Sequence, residues 1–200
     1  MKRMLGLLIL MLAMGLGGPA AFAQMEKKPP QKEMAPKGTM ASIMDQHLSI
    51  VERDFVSAAE AMPEDKYSFA PTSGEFKGVR TFAEEVKHVA ATNYRFYSAV
   101  LGEKRQDDGE NGPDSIKAKD DILKYLKDSF ALGHRAIATI TEANATTPLT
   151  NSKGEPGKGP FSTRLGVALI GSWHPMDHYG QMVEYLRMNG IIPPASRPGQ

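Results

Sequence analysis

Apolar residues recur at alternating spacings of three and four positions from about Met40 onward, and nowhere do they alternate strictly with polar residues. This spacing is typical of amphipathic helices. The first stripe is Met44, Leu48, Val51, Phe55, Ala58 and Met62, and the second is Phe82, Val86, Val89, Asn93, Phe96 and Val100. Pro63 follows the first stripe and Gly102 follows the second, so each stripe predicts one helix that buries a single face.

Two more stripes follow, each after a polar loop. The third helix is expected to begin at Asp114 or Ser115 and to bury Leu123, Leu126, Phe130, Gly133, Ile137 and Ile140. The fourth is predicted over about residues 162–189, with Gly190 as its stop and a buried side of Leu165, Leu169, Met176, Val183 and Leu186. Four helices of roughly 20 to 28 residues can enclose one core, so the predicted fold is an all-α four-helix bundle.

The predicted helices are joined by long connections. Residues 62–78 form too long a segment for a tight turn, and this segment is expected to pack across the bundle with its three aromatic residues, Tyr67, Phe69 and Phe76. A second long loop covers about residues 143–160, and long crossover connections permit parallel neighbours. The proline-rich tail, residues 191–200, is expected to lie extended along the surface.

The first 23 residues have the pattern of a secretory signal sequence. Lys2 and Arg3 form its charged start, residues 5–17 are almost all apolar, and Ala21, Phe22 and Ala23 form an A-x-A cleavage site. The prediction is cleavage near Ala23 and a secreted or periplasmic protein. A retained membrane anchor is the alternative, although the apolar run is short for a spanning helix.

Charge and composition change when this segment is set apart. The whole chain has 24 Lys+Arg against 23 Asp+Glu, and loss of Lys2 and Arg3 leaves a net charge of about −1. We therefore expect no nucleic-acid surface, which needs a basic excess, and no stable membrane insertion after cleavage. Residues 24–39 are rich in Pro, Lys and Met and predict a flexible tether. The predicted bundle then covers residues 40–195, and residues 196–200 form a tail.

The absence of cysteine narrows the chemistry further. It excludes a disulfide framework, a cysteine nucleophile and a thiolate metal site. A metal would have to be held by nitrogen and oxygen, and any thiol in a reaction would come from a substrate.

The histidines are the main candidates for chemistry. His174 and His178 are four residues apart on the fourth predicted helix, so both imidazoles project from one face and could reach the same metal ion. His88, beside the seam of the second helix, is the candidate third ligand. Three neutral imidazoles with water as the fourth ligand would form an open, catalytic-type zinc site. An HxxxH pair also arises by chance, and many helical histidines are surface or core residues.

The other histidines and two residues next to the pair have different expected roles. His47 is expected to be a packing or surface residue, with an extra metal ligand as the alternative, and His134 is expected to be structural. Trp173 is expected in the core or along a cleft. Pro175 lies between the two histidines and predicts a kink, which would either widen a cavity around them or break the helix and misalign them.

Carboxylates are the candidates for proton transfer and for orienting the histidines. Glu84 or Glu85 could orient His88 through its second ring nitrogen. Glu85, Glu84 and Asp177 are each candidate proton acceptors, and the sequence does not rank them. Glu85 and Asp177 are the candidate catalytic residues, and Gln181 is expected to line the cavity.

These residues resemble a known family. Residues 174–194, HPMDHYGQMVEYLRMNGIIPP, are similar to the last helix of the DinB superfamily of DinB/YfiT-like metalloenzymes, whose pattern is close to HxxxHxGQxxxYLRxxGxxPP. Residues 62–71 and 80–88 look like the first crossover and the second helix of that family. Together these stretches extend over most of residues 40–195.

The resemblance implies a bundle with long crossovers and one divalent metal, zinc or nickel, held by His88, His174 and His178. Some members are thiol S-transferases, relatives include a mycothiol-dependent isomerase, many have no assigned reaction, and dimers are common. This chain departs from the pattern at Pro175, at Tyr179 where many members have Arg, and in its predicted export. An exported protein would not meet the cytosolic thiols that the transferases use.

The expected function is that of an exported metal-binding protein, an enzyme of hydrolase or transferase type that uses a metal-activated water or thiol on a small-molecule substrate. The alternative is a non-catalytic metal- or ligand-binding bundle, in which the same histidines join the second and fourth helices. A third hypothesis is a bundle that has lost its metal and serves as an interaction module. A homodimer would be expected if packing left an apolar face uncovered.

Overall fold

The structure is a computed structural model that describes residues 38–104, 109–150 and 153–198. Four helices follow one another along the chain: α1 (Met40–Ala61), α2 (Phe82–Leu101), α3 (Lys119–Ile137) and α4 (Arg164–Met188). Within these ranges the only β-structure is two isolated bridges in the connection before α4. The all-α fold is therefore confirmed. The predicted signal sequence and nearly all of the tether lie outside the described residues, so cleavage and export stay predictions.

Side-chain caps fix where the helices begin. Thr39 caps α1, and Thr81 and Glu84 form a reciprocal capping box at the start of α2. Gly102 ends α2 with a positive φ of 68°, a conformation that glycine adopts without steric cost. The predicted apolar stripe of α1 is buried in full. Of the α2 stripe, Phe96 is the one member that remains partly exposed.

Contacts between helices give the direction of each one in the bundle. Asn93 contacts Ser129 and Glu103 pairs with Arg135, so α2 and α3 run parallel. His134 lies beside Asp45, whereas Lys127 pairs with Glu60, so α1 and α3 are antiparallel.

The fourth helix completes this arrangement. Glu85 contacts His178 and Tyr97 contacts Gly171, so α2 and α4 are antiparallel. It follows that α1 and α4, which also pack together, are parallel neighbours. The long crossovers make such parallel packing accessible, as the length of these connections predicts.

Tyr97 of α2 packs directly against a glycine of α3 and a glycine of α4. A Cβ atom placed on Gly171 would lie 2.0 Å from the Tyr97 hydroxyl, and one placed on Gly133 would lie 2.7 Å from the ring. Glycine at both positions therefore lets α3 and α4 approach α2 closely. This packing sets the spacing between α2 and α4 one turn away from His174.

Two helix predictions were wrong in detail. The N-cap of α3 is Ala118, not Asp114 or Ser115, and Ile140 is buried beyond the helix end. The predicted buried side of α4 was wrong at Leu169 and Met176, which are exposed at 53% and 36%, whereas Leu186 is buried as predicted. The side that faces the bundle instead contains Gly166, Val167, Ala168, Ile170, Gly171, Pro175, His178, Met182, Tyr185 and Leu186.

The first long connection packs on the bundle through two of its three aromatic residues. Tyr67 is buried and donates a hydrogen bond to the Ala59 carbonyl at 2.8 Å, and the ring of Phe69 meets that of Tyr185 edge to face at 5.7 Å. Phe76 is exposed. The segment contains a short 3₁₀ turn, Glu64–Lys66.

The C-terminal segment is extended only in part, whereas the prediction was an extended tail throughout. After α4 it forms a second 3₁₀ turn, Pro194–Ser196, which packs against α1 and buries Pro194. Proline at the first position of such a turn has its φ preset and needs no backbone donor, which explains why a proline-rich tail can coil here. Among the described helices, none combines the length and the apolar character needed to cross a membrane.

Candidate metal centre

Three histidines from two helices converge between α2 and α4. His174 Nε2 lies 3.2 Å from His88 Nε2 and 3.2 Å from His178 Nε2. Two nitrogens bound to one tetrahedral zinc at about 2.0–2.1 Å would be roughly 3.3–3.4 Å apart. The cluster is the one group of at least three potential ligands that the described residues bring within reach of a common ion. The predicted set of His88, His174 and His178 is thus brought together.

His88 is oriented by the connection between α2 and α3. Its Nδ1 lies 2.6 Å from the Glu110 carbonyl oxygen, which can only accept a hydrogen bond. The proton of the neutral ring is therefore on Nδ1, and the Nε2 lone pair points toward the other histidines. The expectation that Glu84 or Glu85 orients His88 was wrong, because a backbone carbonyl does so.

His178 is oriented by a buried carboxylate. Its Nδ1 lies 2.5 Å from Glu85 Oε2, and both residues are almost fully buried. The Gln181 amide nitrogen lies 3.5 Å from the same ring nitrogen. A carboxylate that accepts the outer proton of a histidine fixes its tautomer and makes the inner nitrogen a better metal ligand. Glu84 takes a different role, because its carboxylate accepts the Thr81 backbone N–H in the α2 cap.

Of the three histidines, His174 is the one whose outer ring nitrogen is not oriented by another group among the described residues. Its Nδ1 is buried and finds no hydrogen-bond partner among the described residues. Burial, followed by repulsion from protonated His178 and His88, lowers the pKa of His174 to about 3. Burial likewise lowers the pKa of His88 below its usual value.

These features match the requirements of a divalent cation. Metal binding needs neutral imidazoles, and burial favours the neutral form of His88 and His174 near pH 7. If neither a cation nor a proton lay between them, three ring nitrogens this close would have their lone pairs facing one another, which is unfavourable. The donor set, all nitrogen and with two outer hydrogen bonds already made, suits a divalent first-row transition metal.

A polar cavity of about 290 Å³ lies beside the cluster. Its walls include the groups that touch the outer nitrogens of His88 and His178: Glu85, Glu110 and Gln181. Arg80 and Asn111 complete its polar lining. The expectation that Gln181 lines a cavity is therefore confirmed, and the cavity borders the outer side of the histidines.

Pro175 does not disrupt the site. α4 continues through it from Arg164 to Met188, and His174 and His178 present their Nε2 atoms to one point. The alternative of a broken helix with misaligned histidines was therefore wrong. Pro175 is buried and has no N–H, so the Gly171 carbonyl loses its usual helical donor.

The remaining candidates lie away from the cluster. Asp177 is exposed, and within the described part of the chain its carboxylate accepts no hydrogen bond. His47 is exposed on α1 and lines a surface groove with Trp173, so it supplies no extra ligand. Trp173 is 64% exposed, which excludes a place in the core and leaves the cleft-lining alternative.

His134 joins α1 to α3, as its expected structural role requires. Its Nδ1 lies 2.6 Å from Asp45 Oδ1 and its Nε2 lies 3.0 Å from Glu52 Oε2. Burial lowers the pKa of His134, but hydrogen bonds with both carboxylates outweigh burial, so the net shift is upward. Both ring nitrogens can donate only when the ring is protonated.

The raised pKa predicts a pH-dependent contribution to stability. It should be fully present below about pH 6.5 and lost as the pH rises through the folded-state pKa. For the metal-free protein, the melting temperature should exceed that of His134→Gln by about 2–4 °C more at pH 5.5 than at pH 8.5. His47→Gln, which removes an exposed histidine, is the matched control. An equal difference at both pH values would contradict the prediction.

Comparison with known proteins agrees with this arrangement. The sequence model of a family described as the DinB superfamily matches residues 47–182. The match extends from α1 into α4 and includes all three histidines of the cluster. No protein in a search of curated proteins matches the chain.

Proposed function

The chain belongs to the DinB superfamily, and from this membership and the three-histidine cluster we propose that it is a divalent-metal-dependent enzyme of hydrolase or transferase type. The observation that supports the proposal most is the number of protein ligands. Structural zinc sites use four protein ligands, whereas catalytic sites use three and keep a position for water or substrate. His88, His174 and His178 are three.

The side chains around the cluster have separate tasks in this proposal. Glu110, through its carbonyl, and Glu85 hold the outer protons of His88 and His178, so both inner nitrogens remain acceptors. Glu85 and His178 are almost fully buried, which limits the competition of water for the hydrogen bond between them. A divalent cation at the cluster would supply Lewis-acid chemistry, which acidifies a water or thiol so that a nucleophile exists near neutral pH.

The proposal also extends to the identity of the metal and to the class of the substrate. Zinc is favoured over nickel because three imidazoles and an open position are a common zinc arrangement. The substrate is a small molecule, and a thiol, if the reaction uses one, comes from that molecule because the chain has no cysteine. Glu85 is better placed than Asp177 to take part, since it touches His178 and Asp177 is exposed.

A non-catalytic metal-binding bundle is the competing function, and the open position separates the two. The chain loaded with Co²⁺ should change its visible spectrum when azide or 2-mercaptoethanol is added, because either ligand enters an open position. The His88→Ala variant, treated in the same way, shows which spectral changes come from cobalt bound elsewhere. A wild-type spectrum that neither ligand alters would indicate a closed coordination shell and would refute the enzyme proposal.

A further inference from the structure

The connection between α2 and α3 makes one of the contacts that orient the histidine cluster. The Glu110 carbonyl in this connection accepts the Nδ1 proton of His88 at 2.6 Å. The Glu110 side chain is 75% exposed, so burial does not hold this residue in place. The segment is instead held by side-chain hydrogen bonds, one of which runs from Lys87 Nζ to the Pro113 carbonyl at 3.1 Å.

Arg80 binds this segment through two adjacent side chains. Its Nη2 donates to Glu110 Oε1 at 2.9 Å, and its Nε donates to Asn111 Oδ1 at 2.8 Å. The guanidinium is planar and its donors are rigidly arranged, so two bonds fix both the position and the orientation of what they hold. Arg80 therefore restrains the residue whose carbonyl orients His88.

Arg80 is itself anchored to two helices. Its carbonyl accepts a hydrogen bond from the Tyr185 hydroxyl of α4 at 3.1 Å. The next residue, Thr81, caps α2 in the capping box with Glu84. The Arg80 side chain is only 26% exposed. The guanidinium thus extends from a fixed backbone.

The same side chains border the outer side of the cluster. Arg80, Glu110 and Asn111 line the 290 Å³ cavity into which Glu85 and Gln181 also face. If the Arg80 bonds were lost, water could compete for the outer nitrogens of His88 and His178. Both effects would weaken the orientation of the metal ligands.

We propose that Arg80 is a positioning residue of the metal centre, which acts through Glu110 to direct the Nε2 lone pair of His88 toward His174 and His178. This inference rests on the proposed metal-dependent function and adds to it a residue that does not touch the ligands. The effect should appear in the affinity for the metal, because a misdirected lone pair is a weaker ligand.

Chelator competition with Zn²⁺ measures that affinity. Arg80→Gln is expected to weaken zinc binding roughly tenfold, at the lower end of the effects of outer-sphere partners. Arg135→Gln is the matched control, because Arg135 pairs with Glu103 at the start of the same connection and is exposed. It should keep the wild-type affinity, which would separate the position of Arg80 from a general loss of surface charge.

Long-range ¹H–¹⁵N NMR of the metal-free protein gives a second readout, the tautomer of His88. The wild type should carry the proton on Nδ1, and Arg80→Gln should show a mixture. This test needs no metal, so a wild type that bound no zinc would refute the proposed function while the role of Arg80 was still measured. Wild-type affinity together with an unchanged tautomer in Arg80→Gln would overturn the inference. Should this variant fail to fold, the exposed double variant Glu110→Ala/Asn111→Ala takes its place, with the same expectations.

Discussion

Zinc binding should weaken by about two orders of magnitude when His174 is replaced by alanine. The free energy of zinc binding in small zinc-finger peptides is about 10–16 kcal/mol, or roughly 3 kcal/mol for each of four ligands. The loss of one ligand therefore corresponds to about a hundredfold in affinity. His174 lies at the centre of the cluster, 3.2 Å from both partners, so no other described side chain can take its place. Chelator competition and elemental analysis of the purified chain measure the effect.

Stability of the metal-free variant provides the internal check. The buried Nδ1 of His174 has no partner among the described residues, and its ring crowds two other imidazoles. Its removal should therefore cost the metal-free protein little. His47→Ala, at an exposed histidine, should bind zinc as the wild type does. If His174→Ala retained wild-type zinc, the ion would be bound at a different place.

The three histidines of the cluster could be predicted because each stands out in the pattern of its own helix. The spacing of His174 and His178 places both on one helical face, and His88 lies beside the seam of the second helix. The resemblance to the DinB superfamily implied the same three residues. Sequence spacing says nothing about how α2 is aligned along α4, which decides the partner of each outer nitrogen. Glu85 was therefore predicted as a carboxylate that orients a histidine, but the histidine predicted was His88 and the one it contacts is His178.

Two features could not be predicted from the sequence, each for its own reason: the contact of Glu110 with His88 and the buried side of α4. Glu110 orients His88 through its backbone carbonyl, and every residue type offers that group, so the sequence carries no signal for it. In α4 the side toward the bundle includes glycines and the polar His178, whereas Leu169 and Trp173 face outward. An apolar stripe predicts burial only where the core is apolar.

Glu85→Gln is the second variant with a large expected effect, a loss of about ten- to a hundredfold in zinc affinity. Glutamine is nearly the same size, and its carbonyl oxygen can still accept the Nδ1 proton of His178. What it lacks is the negative charge, which draws that proton outward and strengthens Nε2 as a ligand. Asp177→Asn removes a carboxylate one residue from His178, but an exposed one, and should leave the affinity unchanged.

The same substitution should act differently on the metal-free protein, and this difference separates ligand tuning from unfolding. Glu85 is almost fully buried, and a buried carboxylate loses hydration that its single bond to His178 replaces only in part. Replacement by a neutral amide should therefore leave the melting temperature of the metal-free chain unchanged or raise it. The metal-free variant could instead melt at a lower temperature, with a zinc affinity reduced only as far as its stability is. That result would mean that Glu85 supports the fold and not the metal. Retained stability with weakened zinc binding would instead mean that the buried charge serves the metal ligand His178.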